Sequence, residues 1–134
     1  MVCLDTSFLI DVIKGKPLND ELNNLIDEKW TVSIASPSIL ELFKGLYLNK
    51  NLKHISKEEI DKINEILLSM AILDLDKESA IMAGKTEAEL INKGEKIDIE
   101  DIMIGAICIK NNETLVTRNK KHFEKIPNLK LKTY

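Results

Sequence analysis

The chain contains little cysteine, few aromatic residues and no long apolar run, and each shortage excludes a class of protein. Its two cysteines, Cys3 and Cys108, form no Cys-x-x-Cys pattern, so we expect buried free thiols and a cytoplasmic protein. Aromatic residues make up 4% of the chain, too few to indicate stacking on nucleic-acid bases. Because no apolar stretch approaches ~18 residues and no basic segment stands at the N-terminus, we expect neither a membrane span nor an export signal.

Positive charge is also scarce. The sequence has 19 Lys and Arg residues against 22 Asp and Glu, which gives a formal net charge of −3, and Arg118 is the only arginine. A protein that coats nucleic acid would be basic, so this class is excluded. An enzyme that acts on RNA is not excluded, because a bound divalent cation offsets an acidic site and local lysines can hold phosphates. No glycine-rich phosphate loop or Ser-His-Asp order is present. His54 and His122 have no partner at metal-ligand spacing in the sequence and are expected to be surface imidazoles.

Short apolar runs alternate with helical periodicities, which predicts one α/β domain over residues 1–134 with a parallel sheet. We expect strands over residues 2–4, 31–35, 72–75, 115–117 and 129–131. We expect helices over residues 6–14, 18–28, 37–44, 57–70, 77–92 and 98–110, with caps at Ser36, Ser56 and Asp76. A loop is expected over residues 45–53, and the small residues Ala80, Ala83, Gly84 and Ala88 are expected to pack on the sheet.

Four polar residues stand just after strands or at the start of helices: Asp5, Glu41, Asp101 and Asn119. The carboxyl ends of parallel strands meet at one edge of a sheet. Three carboxylates gathered there would repel one another unless a cation shared them, and oxygen ligands select a hard cation such as Mg²⁺. Each residue also has a local explanation: an N-cap for Asp5, a solvated charge for Glu41, a helix-start acid for Asp101 and a turn residue for Asn119.

Neighbouring polar residues could support such a site. Asp98 lies three residues before Asp101 and is a possible additional metal ligand. Hydroxyls and cations beside the four residues could orient a carboxylate or touch a phosphate. They are Thr6, Ser7, Thr117, Arg118, Lys120 and Lys121.

Four segments resemble, in order, the motifs of the PIN-domain ribonucleases, in particular the VapC-like toxins of toxin–antitoxin pairs. They are Leu4–Asp11, Ser38–Leu42 with Gly45, Asp101–Ala106, and Leu115–Asn119 with Phe123. The match runs from residue 1 to residue 132. The resemblance implies a three-layer α/β/α sandwich with a five-stranded parallel sheet.

The same resemblance implies a Mg²⁺- or Mn²⁺-dependent endoribonuclease, with an RNA substrate, an antitoxin partner and a homodimeric state. Carried over residue by residue, Asp5, Glu41 and Asp101 become the acidic metal ligands. The fourth catalytic position falls on Asn119, where many relatives carry aspartate. This departure removes one negative charge and would weaken the binding of a second ion.

Two other functions remain open. A catalytically weak or silent module that binds RNA or protein on the same fold is compatible with Asn119. A receiver-type phosphoacceptor domain also gathers aspartates at the carboxyl edge of a parallel sheet, and Asp74 or Asp76 would be its acceptor. That type expects two adjacent acids after the first strand, whereas Asp5 is followed by Thr6.

Overall fold

The computed structural model describes residues 1–17, 20, 23–24, 31–48 and 56–134. Within these ranges, five strands form one parallel sheet in the order β3–β2–β1–β4–β5. They are β1 (Val2–Leu4), β2 (Val32–Ala35), β3 (Ala71–Leu73), β4 (Thr114–Thr117) and β5 (Lys130–Thr133). Leu4 pairs with Ile34 on one side and Val116 on the other, so the carboxyl ends of the three central strands lie level. The predicted parallel sheet is confirmed.

Helices cover both faces of this sheet. In the described part of the chain they are α1 (Thr6–Ile13), α2 (Ser36–Leu48), α3 (Lys57–Leu68), α4 (Lys77–Asn92), α5 (Ile99–Lys110) and α6 (Lys120–Phe123). Alternate side chains of a strand point to opposite faces. Cys3 accordingly packs with Ile107 of α5, whereas Leu4 packs with Phe8 of α1. The expected α/β/α sandwich is therefore confirmed.

Local capping sets several helix boundaries as the sequence predicts. Asp76 Oδ1 accepts a hydrogen bond from the Ser79 N–H at 2.9 Å, and Ser79 Oγ accepts one from the Asp76 N–H at 2.9 Å. This reciprocal capping box starts α4. Ser56 Oγ accepts from the Glu59 N–H at 3.2 Å and starts α3. Gly94, just beyond α4, has a φ of +73°, which glycine adopts without strain.

The loop predicted over residues 45–53 is wrong for residues 45–48, and residues 49–53 lie outside the described ranges. Helix α2 continues through Gly45 to Leu48, and it follows β2 directly, so Ser36 is its first residue and not a cap outside it. A Cβ atom at Gly45 would meet no atom within 4 Å, so this glycine lies at an open position of the helix. A single glycine weakens a helix by about 1 kcal/mol relative to alanine but does not have to end it.

The predicted packing face of α4 is also wrong. Its buried residues are Ser79, Ala83 and Leu90, whereas Ala80, Gly84 and Ala88 are exposed. Ala83 and Leu90 pack with Ile102 and Ala106 of α5. Helix α4 thus packs on another helix, and this neighbour selects which side of α4 is buried.

Two predictions concern residues that lie largely or wholly outside the described ranges. The predicted helix over residues 18–28 is described only at residues 20 and 23–24, and His54 is outside the described ranges. Of the helices within those ranges, none has the length and apolar character that crossing a bilayer requires.

Candidate active site

Asp5 follows β1, and three hydrogen-bond donors fix its carboxylate. The Thr6 N–H donates to Oδ1 at 2.7 Å, while Ser7 Oγ and Thr117 Oγ1 donate to Oδ2 at 3.1 and 2.7 Å. Asp5 is 3% exposed, and Thr117 is fully buried. Asp5 is the N-cap of α1, as the local explanation predicts. Its second oxygen is nevertheless held by β4, so capping alone does not account for its environment.

Glu41 lies in the second turn of α2, partly buried beside Asp5. Thr6 Oγ1 donates a hydrogen bond to Glu41 Oε1 at 3.3 Å. Burial raises the pKa of Glu41 to about 7, and the negative charges of Asp101 and Asp5 contribute to this increase. A solvated helix glutamate would not show this environment, so the local explanation for Glu41 is wrong.

Asp101 lies in the first turn of α5 and is 8% exposed. Burial raises its pKa, a hydrogen bond from His122 opposes the increase, and the charge of Asp5 adds to it. His122 Nδ1 is 3.3 Å from Asp101 Oδ2. His122 is exposed at the surface as predicted, and its contact with Asp101 is one that the sequence pattern does not indicate.

Asp98 and Asn119 both occupy N-cap positions, of α5 and α6 respectively, but neither side chain makes a capping hydrogen bond. Both residues are exposed at this edge of the molecule. The backbone N–H of Asn119 donates to Thr117 Oγ1 at 2.9 Å, the hydroxyl that itself donates to Asp5. Asn119 is thus connected to Asp5 through one side chain.

The residues predicted to contact phosphate differ from one another in their hydrogen-bond and ion-pair partners. Thr6, Ser7 and Thr117 all donate to the acids described above. Arg118 is paired with the Asp11 carboxylate of α1, a contact that the sequence pattern does not indicate. Lys120 and Lys121 are exposed in α6.

The donor set fits a hard divalent cation by its chemistry. Asp5, Glu41 and Asp101 offer only oxygen atoms, and the pKa of two of them is raised by burial and by their neighbours' negative charge. A cation relieves this repulsion. In residues 1–17, 20, 23–24, 31–48 and 56–134, no three His, Cys, Asp or Glu side chains are already positioned around one metal point. The acids are instead held by the Ser, Thr and His donors.

The receiver-type alternative does not match this arrangement. Strand β3 is at the edge of the sheet, with β2 between it and β1, so Asp74 and Asp76 are not beside Asp5. The Asp76 carboxylate caps α4 and is paired with Lys110 of α5. Its oxygens therefore have structural roles.

Comparison with known proteins gives similarity over nearly the whole chain. The PIN-domain family profile matches residues 2–129. Ribonuclease VapC2 of Rickettsia felis is 31% identical over 133 residues, which cover 98% of this chain and 96% of that protein. The tRNA(fMet)-specific endonuclease VapC of Salmonella typhimurium is also 31% identical over 133 residues, with the same coverage of 98% and 96%.

Solved structures show the same similarity in three dimensions. The crystal structure of VapBC2 from Rickettsia felis bound to a promoter DNA fragment has a TM-score of 0.83 at 29% identity, covering 100% of this chain and 99% of that one. DNA-bound VapBC from Salmonella typhimurium has a TM-score of 0.83 at 27% identity, covering 99% and 98%. The matched span includes Asp5, Glu41, Asp101 and Asn119.

Proposed function

The chain belongs to the PIN-domain family, and we propose that it is the endoribonuclease toxin of a VapBC-type pair, with Mg²⁺ or Mn²⁺ held by Asp5, Glu41 and Asp101. The observation that carries this proposal is the shared electrostatic environment of the three acids at the carboxyl edge of the sheet. Similarity to ribonucleases over 98% of the chain supports the same conclusion.

The protein's part in hydrolysis is to hold these acids in place. A bound Mg²⁺ or Mn²⁺ would supply charge that polarises the phosphodiester and lowers the pKa of an attacking water. Ser7 and Thr117 fix Asp5 Oδ2, and Thr6 contacts both Asp5 and Glu41. These three residues therefore act as positioning groups for the acids, in addition to any contact with RNA.

Glu41 is the acid best suited to exchange a proton. Burial and the charges of Asp101 and Asp5 raise its pKa to about 7 in the absence of a metal ion, and a bound cation would lower it again. Thr6 Oγ1 donates a hydrogen bond to Oε1 and orients the carboxyl group. Asp101, whose pKa is also raised, is the second candidate for this role.

A cleavage assay tests the proposal. The purified protein should cleave RNA in Mg²⁺ or Mn²⁺, stop when EDTA is added and recover with excess metal. Asp5→Asn and Asp101→Asn should abolish cleavage with an unchanged circular dichroism spectrum, whereas Asp74→Asn, at an exposed position away from the acids, should retain it. Asp98→Asn tests the possible additional ligand on the same helix start as Asp101. Activity in Asp101→Asn together with its loss in Asp98→Asn would show that the wrong aspartate was chosen. Metal that altered neither cleavage nor thermal stability would contradict a shared metal site.

A catalytically silent binding module is the second candidate, and Asn119 in place of a fourth acid is the observation that favours it. Such a module would bind RNA or its partner protein with unchanged affinity in Asp5→Asn. It would release no RNA fragments in Mg²⁺ or Mn²⁺. The same assay therefore separates the two functions.

Partners and location form a further part of the proposal. Solved relatives from Rickettsia felis and Salmonella typhimurium are VapBC complexes, which supports an antitoxin partner for this chain. We propose that the pair acts in the cytoplasm. We also propose a homodimer through the apolar faces around Phe43–Tyr47 and Ile60–Met70, where Tyr47 is 43% and Leu68 87% exposed. Sedimentation velocity at concentrations on the order of 10 µM should show a dimer. A monomer alone would remove this claim.

A further inference from the structure

A cavity of about 250 Å³ opens directly beside Asp101. Its lining residues are Lys96, Ile97, Asp98, Lys121, His122 and Lys125, and we call it the lysine cleft. His122 belongs both to this lining and to the acid site, because its Nδ1 is 3.3 Å from Asp101 Oδ2. The lysine cleft is thus continuous with the site through one side chain.

The lining carries an excess of positive charge. Three of its residues are lysines and Asp98 is its one acid. Lys125 is paired with Glu95 at 2.8 Å. Lys96 and Lys121 are exposed, and within the described ranges neither has an ion-pair or hydrogen-bond partner. Two ammonium groups are therefore available to an anion.

The cations on the α1 side of the site offer less uncompensated positive charge. The guanidinium of Arg118 and the ammonium of Lys16 both lie 3.1 Å from the Asp11 carboxylate. These cations are already compensated by a nearby negative charge. A polyanion that reaches the acids therefore gains more from the two unpaired lysines of the cleft than from Arg118 and Lys16.

The position and the size of the lysine cleft also suit a phosphate group of an RNA strand. The cleft is built from the residues just before α5, which carries Asp101, and from α6 and Lys125, which follow β4. Its volume corresponds to roughly eight waters at about 30 Å³ each. Lysine binds phosphate as a point charge and needs no bidentate geometry. An anion in the cleft would be held at a fixed place relative to Asp101.

We propose that the lysine cleft binds the RNA phosphate next to the one that is cleaved, so that the strand enters the site along α6 and not along α1. The inference rests on the proposed ribonuclease function and adds the path of its substrate. RNA is favoured over an acidic protein segment because the cleft adjoins the acids through His122.

Salt dependence of binding tests the contact. Single-stranded RNA binding would be measured in Asp5→Asn, which prevents cleavage, with and without Lys96→Gln/Lys121→Gln. The matched control is Lys57→Gln/Lys85→Gln, because these lysines are exposed and lie outside the cleft. Loss of two phosphate contacts should weaken binding about tenfold and reduce the slope of log K against log salt by about 1.4. The control should keep the slope of the parent.

Kinetic measurements and a chemically modified RNA test which phosphate of the strand the cleft binds. In the otherwise wild-type protein, the cleft variant should raise KM about tenfold, with kcat within about twofold. A neutral methylphosphonate placed beside the scissile phosphate should weaken binding in the parent and add nothing in the cleft variant. The same replacement several nucleotides away should weaken both proteins equally, because its effect would be independent of the cleft.

The outcomes separate this inference from the ribonuclease itself. Wild-type cleavage with an unchanged salt slope in the cleft variant would overturn the cleft and leave the nuclease standing. A reduced slope without cleavage in any metal would support the cleft and overturn the nuclease, and absence of RNA binding would overturn both. Lysine-dependent binding of a polyglutamate peptide, with RNA binding unchanged, would also overturn the inference.

Discussion

Arg118 Nη1 lies 3.1 Å from Asp11 Oδ2, which joins the segment after β4 to the helix after β1. The Asp11 side chain is 10% exposed, whereas that of Arg118 is 44% exposed. The two connected segments also carry Asp5 and Asn119. The ion pair therefore links the two backbone segments that have to stay together for the site to persist.

We expect this pair to contribute modestly to stability. Asp11→Asn should lower the free energy of unfolding by about 1 kcal/mol, and a double-mutant cycle with Arg118→Gln should give a coupling of about 0.5 kcal/mol, because the arginine is half in solvent. Urea unfolding at low and high salt would measure both. Lys16→Gln, which removes the more exposed partner of Asp11, should cost less. Additive effects of the two substitutions would show that the contact contributes nothing.

Asn119 should determine how strongly a second ion binds. An amide can coordinate a hard cation through its carbonyl but contributes no charge. Asn119→Asp should therefore raise activity at low Mg²⁺, and Asn119→Ala should reduce activity less than Asp5→Ala does. Cleavage rates titrated against Mg²⁺ would compare the variants. An unchanged metal dependence in Asn119→Asp would place the residue outside the site.

Asp76 should stabilise the junction of α4 and α5 in a pH-dependent way. Hydrogen bonds from Lys110 and then from Ser79 hold the pKa of Asp76 well below its ordinary value of 3.8. Since the folded-state pKa is the lower one, this stabilisation is present above about pH 4 and is lost as the pH falls further. Asp76→Ala should lower the melting temperature at pH 7 and much less at pH 2. Asp74→Ala, at an exposed position, is the control, and an equal effect of Asp76→Ala at both pH values would contradict the prediction.

Glu113 should destabilise the protein at high pH. It is 1% exposed, and neither carboxylate oxygen has a hydrogen-bond partner in the described part of the chain. Burial raises its pKa, so the cost of its charge appears as the pH rises above the ordinary value of 4.5. Glu113→Gln should stabilise the protein by about 1 kcal/mol at pH 8 and hardly at all at pH 4. Chemical unfolding at both pH values would measure this, with the exposed Glu124→Gln as the control. A loss of stability at pH 8 would contradict it.

Local signals explain what could be predicted of the fold. Apolar runs gave the strands, and the capping of α4 by Asp76 follows from residues three apart in the sequence. The continuation of α2 past Gly45 could not be predicted, because an open glycine position and a loop share the same local sequence. The buried side of α4 depends on α5, which begins only after that helix ends.

In the candidate site too, local sequence predicts some features, and tertiary packing determines the others. Asp5, Glu41 and Asp101 are predictable as candidates because each follows a strand-like run or lies near the start of a helical one, although the local sequence does not reveal how close their side chains lie. The contacts of His122 with Asp101 and of Arg118 with Asp11 join residues 21 and 107 positions apart. Such contacts depend on tertiary packing, and no periodicity encodes them.

The central place of β1 has a consequence for synthesis of the protein. Strand β1 pairs with β4, which is made much later, and Asp5 Oδ2 receives its shortest hydrogen bond from Thr117, 112 residues further along the chain. Contacts between such distant residues form late, because the intervening chain has to be closed into a loop first. A nascent chain that ends before Thr117 lacks that donor, the Arg118 pair and Asn119. The candidate site therefore cannot be complete on the ribosome before Asn119 has been added, long after the synthesis of β1.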